Sequence, residues 1–182
     1  VMVSLTRGAW VSAVICFTGF GVMQFGMNRV WKYLAGFLVL LALILVSSES
    51  LRLRVASIVD TQNHSNNVRF NIWRANFAMF KDHPILGIGF GQNKKSLPEY
   101  YAKTEIAEDF VGHAHSNYMQ FLSGTGLLGL FCYLFMCFYF LRLAYQLWKT
   151  QGVYSGLGLG SFWAQMYMHI GGLTECNFTD GE

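Results

Sequence analysis

Residues 113–117 read His113-Ala114-His115-Ser116-Asn117 and stand at the mouth of a long apolar run. Nine residues separate Ser116 from Gly126, and two more separate Gly126 from Gly129. Two arginines upstream have marked local contexts: Thr6-Arg7-Gly8-Ala9-Trp10, and Arg69 within Val68-Arg69-Phe70-Asn71-Ile72-Trp73. Imidazole exchanges a proton near neutral pH, its unperturbed pKa being about 6.5. Guanidinium stays charged and pairs bidentately with phosphoryl oxygens. A titratable base and fixed cations on one membrane face suit group transfer from an anionic, lipid-linked donor.

Each residue also has a plainer reading. A loop histidine is often merely solvated. Arg7 can be an interfacial anchor that snorkels, and Arg69 a solvated helix position. His113 and His115 project to one face if the segment is extended. Zinc would need a third ligand such as His83, Glu108 or Asp109, and no spacing fixes one. We therefore expect neither metal nor cofactor. What favours chemistry at His115 is its position, where a polar segment re-enters the apolar run beside Ser116, Asn117 and three glycines.

The elements that must position these residues follow from composition. The chain has 182 residues, 53% hydrophobic and 13% charged, against about 25% charged in a soluble domain. No Asp or Glu occurs in residues 1–48 or 116–174. Seven of the ten acids and eight of the thirteen Lys and Arg lie in residues 49–115. Two apolar blocks thus flank one polar insert, the pattern of an integral membrane protein with a large aqueous loop. The net charge of +3 includes no basic run, so nucleic acid is not expected as a partner. Cys16, Cys132 and Cys137 sit in apolar runs and read as small hydrophobes, and no disulfide framework is legible. The ends of the chain read as those of an interior piece of a longer protein.

The expected fold is all-α, a polytopic transmembrane bundle with a large extracytoplasmic loop containing amphipathic helices. Residues 1–48 would form two spans, 49–117 the loop, and 118–182 two further spans and the start of another outer segment. The first span covers about 9–27, followed by a short basic connector at 28–32 and a second span over about 33–46, extended by Ser47 and Ser48. The third lies within 118–145, longer than the hydrocarbon is thick, with Gly124, Gly126 and Gly129 permitting close helix approach. The fourth covers about 153–173 and contains Gln165 and His169. Arg29, Lys32, Arg142 and Lys149 share one side, which short basic connectors mark as cytoplasmic. Inside the loop, residues 66–82 predict an amphipathic helix with an aromatic stripe of Phe70, Trp73, Phe77 and Phe80, closed near Pro84. A second short helix is expected after Pro98. Gly87-Ile88-Gly89-Phe90-Gly91 reads as a turn, since no strand-turn-helix unit surrounds it.

Several pieces together resemble the C-terminal core of the O-antigen ligase and O-antigen polymerase superfamily. They are Thr6-Arg7-Gly8-Ala9-Trp10, Arg69-x-x-x-Trp73, and Asp82-His83-Pro84-Ile85-Leu86-Gly87-Ile88-Gly89. The last is His115-Ser116 with nine residues before Gly126-x-x-Gly129, the ligase-type histidine motif. The resemblance implies a bacterial inner-membrane glycosyltransferase, multi-pass, with its active site facing the periplasm. It implies transfer of a glycan from an undecaprenyl-diphosphate-linked donor to an acceptor hydroxyl. His115 would be the base, Arg7 and Arg69 would hold the diphosphate, and His113 and Asn117 would give local support. Lipid A-core is the favoured acceptor; polymerases and protein O-oligosaccharyltransferases share much of the pattern. A polysaccharide transporter would instead line a path with arginines and the intramembrane His169, and a scaffold would use the loop for docking.

Overall fold

The computed structural model describes residues 7–47, 49, 64–109 and 111–177. Its described residues form six helices and no strand: α1 Arg7–Phe25, α2 Met27–Ser47, α3 His64–Asp82, α4 Asn93–Lys103, α5 Asn117–Trp148 and α6 Val153–Gly171. Two of them, α1 over Gly8–Phe25 and α5, are long and apolar enough to cross a membrane. Their outward faces carry large apolar side chains in the open, with Phe17 78% and Phe131 67% exposed. Water does not tolerate such continuous apolar surface, whereas lipid does.

The connector expected at residues 28–32 is helical and belongs to α2. Gly26 alone separates α1 from α2, at φ 82°. A left-handed residue reverses the chain direction locally, and glycine does so without a Cβ penalty. Ser47 extends α2 as expected, its hydroxyl donating to the Leu43 carbonyl at 2.8 Å; Ser48 lies outside the described residues. α1 packs closely on α6, where a Cβ on Gly19 would meet the Trp163 ring at 1.9 Å. α6 packs in turn along α5.

α3 runs almost as the periodicity predicts, but its buried face is not the aromatic stripe. Ile72, Ala75, Asn76 and Met79 are buried, while Phe70 and Phe77 are exposed. The apolar side chains join Leu97, Tyr100, Tyr101, Ile106 and Ala114 in one core shared by α3, α4 and the approach to α5. α4 starts five residues before Pro98 and includes it. Proline there removes one intrahelical donor and crowds the Lys94 carbonyl, and burial of Leu97, Tyr100 and Tyr101 on the same helix offsets that cost.

The helix expected to exceed the hydrocarbon thickness is broken near its start. Gly126 sits at φ 65° and ψ −164° inside α5, a region that only glycine occupies readily. The loop at 84–89 fills the break. Leu127 N–H donates to Pro84 O at 2.8 Å, and Leu128 N–H to Ile85 O at 3.2 Å. Ile88 and Gly89 N–H donate to the carbonyls of Ser123 and Gly124 at 3.0 and 2.9 Å. Gly124 and Gly126 therefore admit a loop, not the neighbouring helix expected from their spacing. A Cβ on Gly87 would stand 2.4 Å from the Gly124 carbonyl carbon, and one on Gly126 2.3 Å from Ile85 O. The glycine-rich turn and the glycines of the histidine motif are the two halves of one backbone clasp.

Candidate active site

The site is assembled around the entry to α5. Ser116 is its N-cap, extended at φ −164° and ψ 127°, and its hydroxyl accepts the Met119 N–H at 3.4 Å. That is the ordinary duty of serine at this position. His115 precedes it at φ 47°, a left-handed conformation uncommon for a residue with a Cβ. The turn carries the His115 ring toward the end of α6. His113 supports it from the same segment: its Nδ1 accepts the His115 backbone N–H at 3.2 Å, with ring centroids 4.2 Å apart.

Two sets of hydrogen bonds fix this turn. On the loop side, Trp73 Nε1–H donates to Ala114 O at 2.8 Å, and Ala114 N–H donates to Gln120 Oε1 at 3.0 Å. Gln120 belongs to a buried polar cluster with Asn76, Asn93 and Ser123. Gln120 Nε2 donates to Asn93 Oδ1 at 3.0 Å, and Asn93 Nδ2 donates to Asn76 Oδ1 at 2.9 Å and to Ser123 Oγ. Three helices, α3, α4 and α5, are thus cross-linked by side-chain amides. On the membrane side, Asn117 N–H donates to Gly172 O at 2.8 Å, and Asn117 Oδ1 accepts Asn177 N–H at the same distance. Asn117 thereby ties the start of α5 to the turn that follows α6.

That turn delivers Glu175. Its Oε1 accepts from Arg69 Nη2 at 2.8 Å, and its Oε2 lies 3.9 Å from His115 Nδ1. Arg69 and His115 are brought together through this carboxylate. Burial acts to raise the Glu175 pKa, but the nearby His115 imidazole and the Arg69 guanidinium outweigh it and hold the carboxyl below its ordinary value. The start of α1 abuts the same turn: a Cβ on Gly8 would be 2.2 Å from Thr174 Oγ1 and 4.0 Å from Glu175 Cγ. Arg7 opens α1 beside it, and its side chain lies outside the described residues. A cavity of about 420 Å³ opens next to Glu175 between α1 and α6, lined by Ala9, Tyr167, Met168 and Gly171 among others. Among the described residues no group of three His, Cys, Asp or Glu side chains is placed to hold a metal ion.

The family model for O-antigen ligase matches residues 1–134. The chain belongs to the O-antigen ligase family. The matched segment contains Arg7, Arg69, His113, His115, Asn117 and the glycines of the clasp, and ends within α5. A comparison with curated proteins finds no match. Membership in a membrane-integral family agrees with the two helices of spanning length. It gives this O-antigen ligase relative a glycosyltransferase-type activity on glycan and lipid-linked substrates. Glu175 lies beyond the matched residues. Sequence reasoning passed over it, although it is the first acid after the acid-free stretch 116–174. That isolation was the available signal.

Proposed function

We propose that this protein transfers a glycan from an undecaprenyl-diphosphate-linked donor to an acceptor hydroxyl, with lipid A-core as the favoured acceptor. The fold would be a polytopic bundle in the bacterial inner membrane, with α3, α4 and the His115 turn on the periplasmic side. The observation that carries the reading is the approach of Arg69 and His115 to one point, through Glu175, from elements 46 residues apart in sequence.

In the reaction, His115 takes the proton of the acceptor hydroxyl as its oxygen attacks the anomeric carbon. The bond from that carbon to the phosphate oxygen breaks, and its electron pair leaves on undecaprenyl diphosphate. A positioned base contributes typically ~10²–10⁴-fold. Negative charge grows on the leaving group, and Arg69, with Arg7 at the start of α1, would stabilise it where water is scarce. No step requires a metal or a nucleotide.

The test is transfer by the purified full-length protein in proteoliposomes, with lipid-linked glycan and lipid A-core. His115→Ala should abolish transfer while leaving donor binding largely intact. Arg69→Ala should abolish it through donor binding, and Arg69→Lys should restore it incompletely. Full activity in His115→Ala would overturn the mechanism. Transfer onto glycan or protein, but not lipid A-core, would reassign the acceptor.

A further inference from the structure

Arg69 is assigned above to the donor diphosphate, yet its Nη2 already donates to Glu175 Oε1 at 2.8 Å. The second oxygen of Glu175 faces His115 Nδ1 at 3.9 Å, beyond hydrogen-bond length. All three side chains are shielded: Arg69 is 25% exposed, Glu175 16% and His115 21%. One carboxylate therefore stands between a permanent cation and a titratable one, bonded to the first and a short rotation from the second.

The surroundings anchor the backbone that carries this carboxylate. The backbone of Glu175 is fixed by its N–H to Gly171 O at 3.0 Å. Cys176 beside it is buried, and Asn177 N–H is bonded to Asn117 Oδ1 at 2.8 Å. A Cβ on Gly8 would come to 4.0 Å from the Glu175 Cγ. The cavity lies on the open side. The backbone is held while the carboxylate borders the cavity. A diphosphate offers more negative charge and more acceptor oxygens to a guanidinium than one carboxylate does. Both anions cannot share Arg69 without like-charge repulsion.

We propose that Glu175 is an exchangeable counter-ion: it closes Arg69 while donor is absent. When the donor diphosphate takes the guanidinium, it turns to His115 Nδ1 and orients the imidazole for its work on the acceptor. The proposal rests on the roles given above to Arg69 and His115. It makes Glu175 a positioning residue and makes assembly of the base depend on the donor. The groups facing His115 are then Glu175 from the turn after α6, His113 from its own segment, and Arg69 from α3 through Glu175. Carboxylate-oriented histidine is a common device for holding one tautomer and stabilising the imidazolium that forms.

The experiment measures undecaprenyl diphosphate binding to the full-length protein in nanodiscs, and transfer kinetics, for the parent, Glu175→Gln and Glu175→Asp. Glu175→Gln should bind undecaprenyl diphosphate about tenfold more tightly, because the competing charge is gone. The same variant should lose about tenfold or more in kcat, and the acid limb of its kcat profile should move to lower pH. Glu175→Asp should keep affinity near the parent and recover part of kcat. Tighter binding with slower turnover is a split that a purely structural role does not produce. Weaker or unchanged binding in Glu175→Gln would overturn the exchange, and an unchanged kcat would overturn the positioning role. If Arg69→Ala bound undecaprenyl diphosphate as the parent does, the functional reading itself would fail. Normal losses in Arg69→Ala and His115→Ala beside an inert Glu175→Gln would sink this proposal alone.

Discussion

Trp73 holds Ala114: the indole N–H donates to the carbonyl one residue before His115, at 2.8 Å. The bond joins the arginine helix to the histidine turn, so Arg69 and His115 are positioned by the same contact. Trp73→Phe keeps a ring and removes the donor, leaving a carbonyl of the fully buried Ala114 unpaired. The expected cost is about 1–3 kcal/mol in stability. Transfer should fall by roughly 10–100-fold, since small displacements of reacting groups are that expensive. Thermal unfolding in detergent and initial rates check both numbers, and parent-like rates would show that the turn holds without the indole.

Gly126→Ala should be among the most damaging single-methyl changes in the chain. The backbone there is a glycine conformation, and the new Cβ would meet Ile85 O at 2.3 Å. Conformation alone accounts for about 1–3 kcal/mol, and the clash adds to it. Gly160→Ala, in α6 with open space around it, should instead be neutral or stabilising by up to about 1 kcal/mol. Melting temperatures of the two variants should move apart; equal shifts would mean the clasp does not matter.

Asn93→Ala tests the buried amide cluster. It strips partners from Asn76, Gln120 and Ser123, all buried. Each polar group left unpaired costs about 1–3 kcal/mol. Hydrogen exchange at the Ala114 amide, read in detergent, should quicken because Gln120 is no longer held toward it. Unchanged protection would separate the cluster from the site.

The Arg69–Glu175 pair should show itself in acid. The Glu175 carboxyl is held below its ordinary value of 4.5 in the folded protein. Its contribution to stability is therefore complete above that value and is lost as pH falls through the depressed one. The parent should melt above Glu175→Gln at neutral pH, with the gap closing below about pH 4.5. A gap that ignores pH would mean that the ionised pair contributes nothing.

Much of the helical layout was legible. Apolar runs and the 3–4 spacing of α3 are local signals, and the arginine and histidine motifs stand in plain sight. What stayed hidden depends on distant partners. Gly126 looks like any packing glycine until the 84–89 loop fills the gap beside it. Asn76, Asn93 and Gln120 are single polar residues whose value comes from facing one another. Phe70 and Phe77 form a stripe by spacing, yet burial went to the aliphatic face that α4 covers. Glu175 is 60 residues from His115 and reaches it where Asn117 and Asn177 join the start of α5 to the turn after α6.

The break in α5 also measures depth. Unbroken, the helix would be about 48 Å long at ~1.5 Å per residue, far more than a ~30 Å hydrocarbon layer. Residues 127–148 alone give about 33 Å, the length that spans that layer with slight tilt. The clasp at Gly126 then stands at one end of the membrane-length segment, with the His115 turn one short helix beyond it. A lipid carries its phosphates just outside the hydrocarbon. On the proposed reading, the glycine ends the lipid-length helix so that Arg69 and His115 stand outside the hydrocarbon, where they can meet a diphosphate whose tail stays in the bilayer.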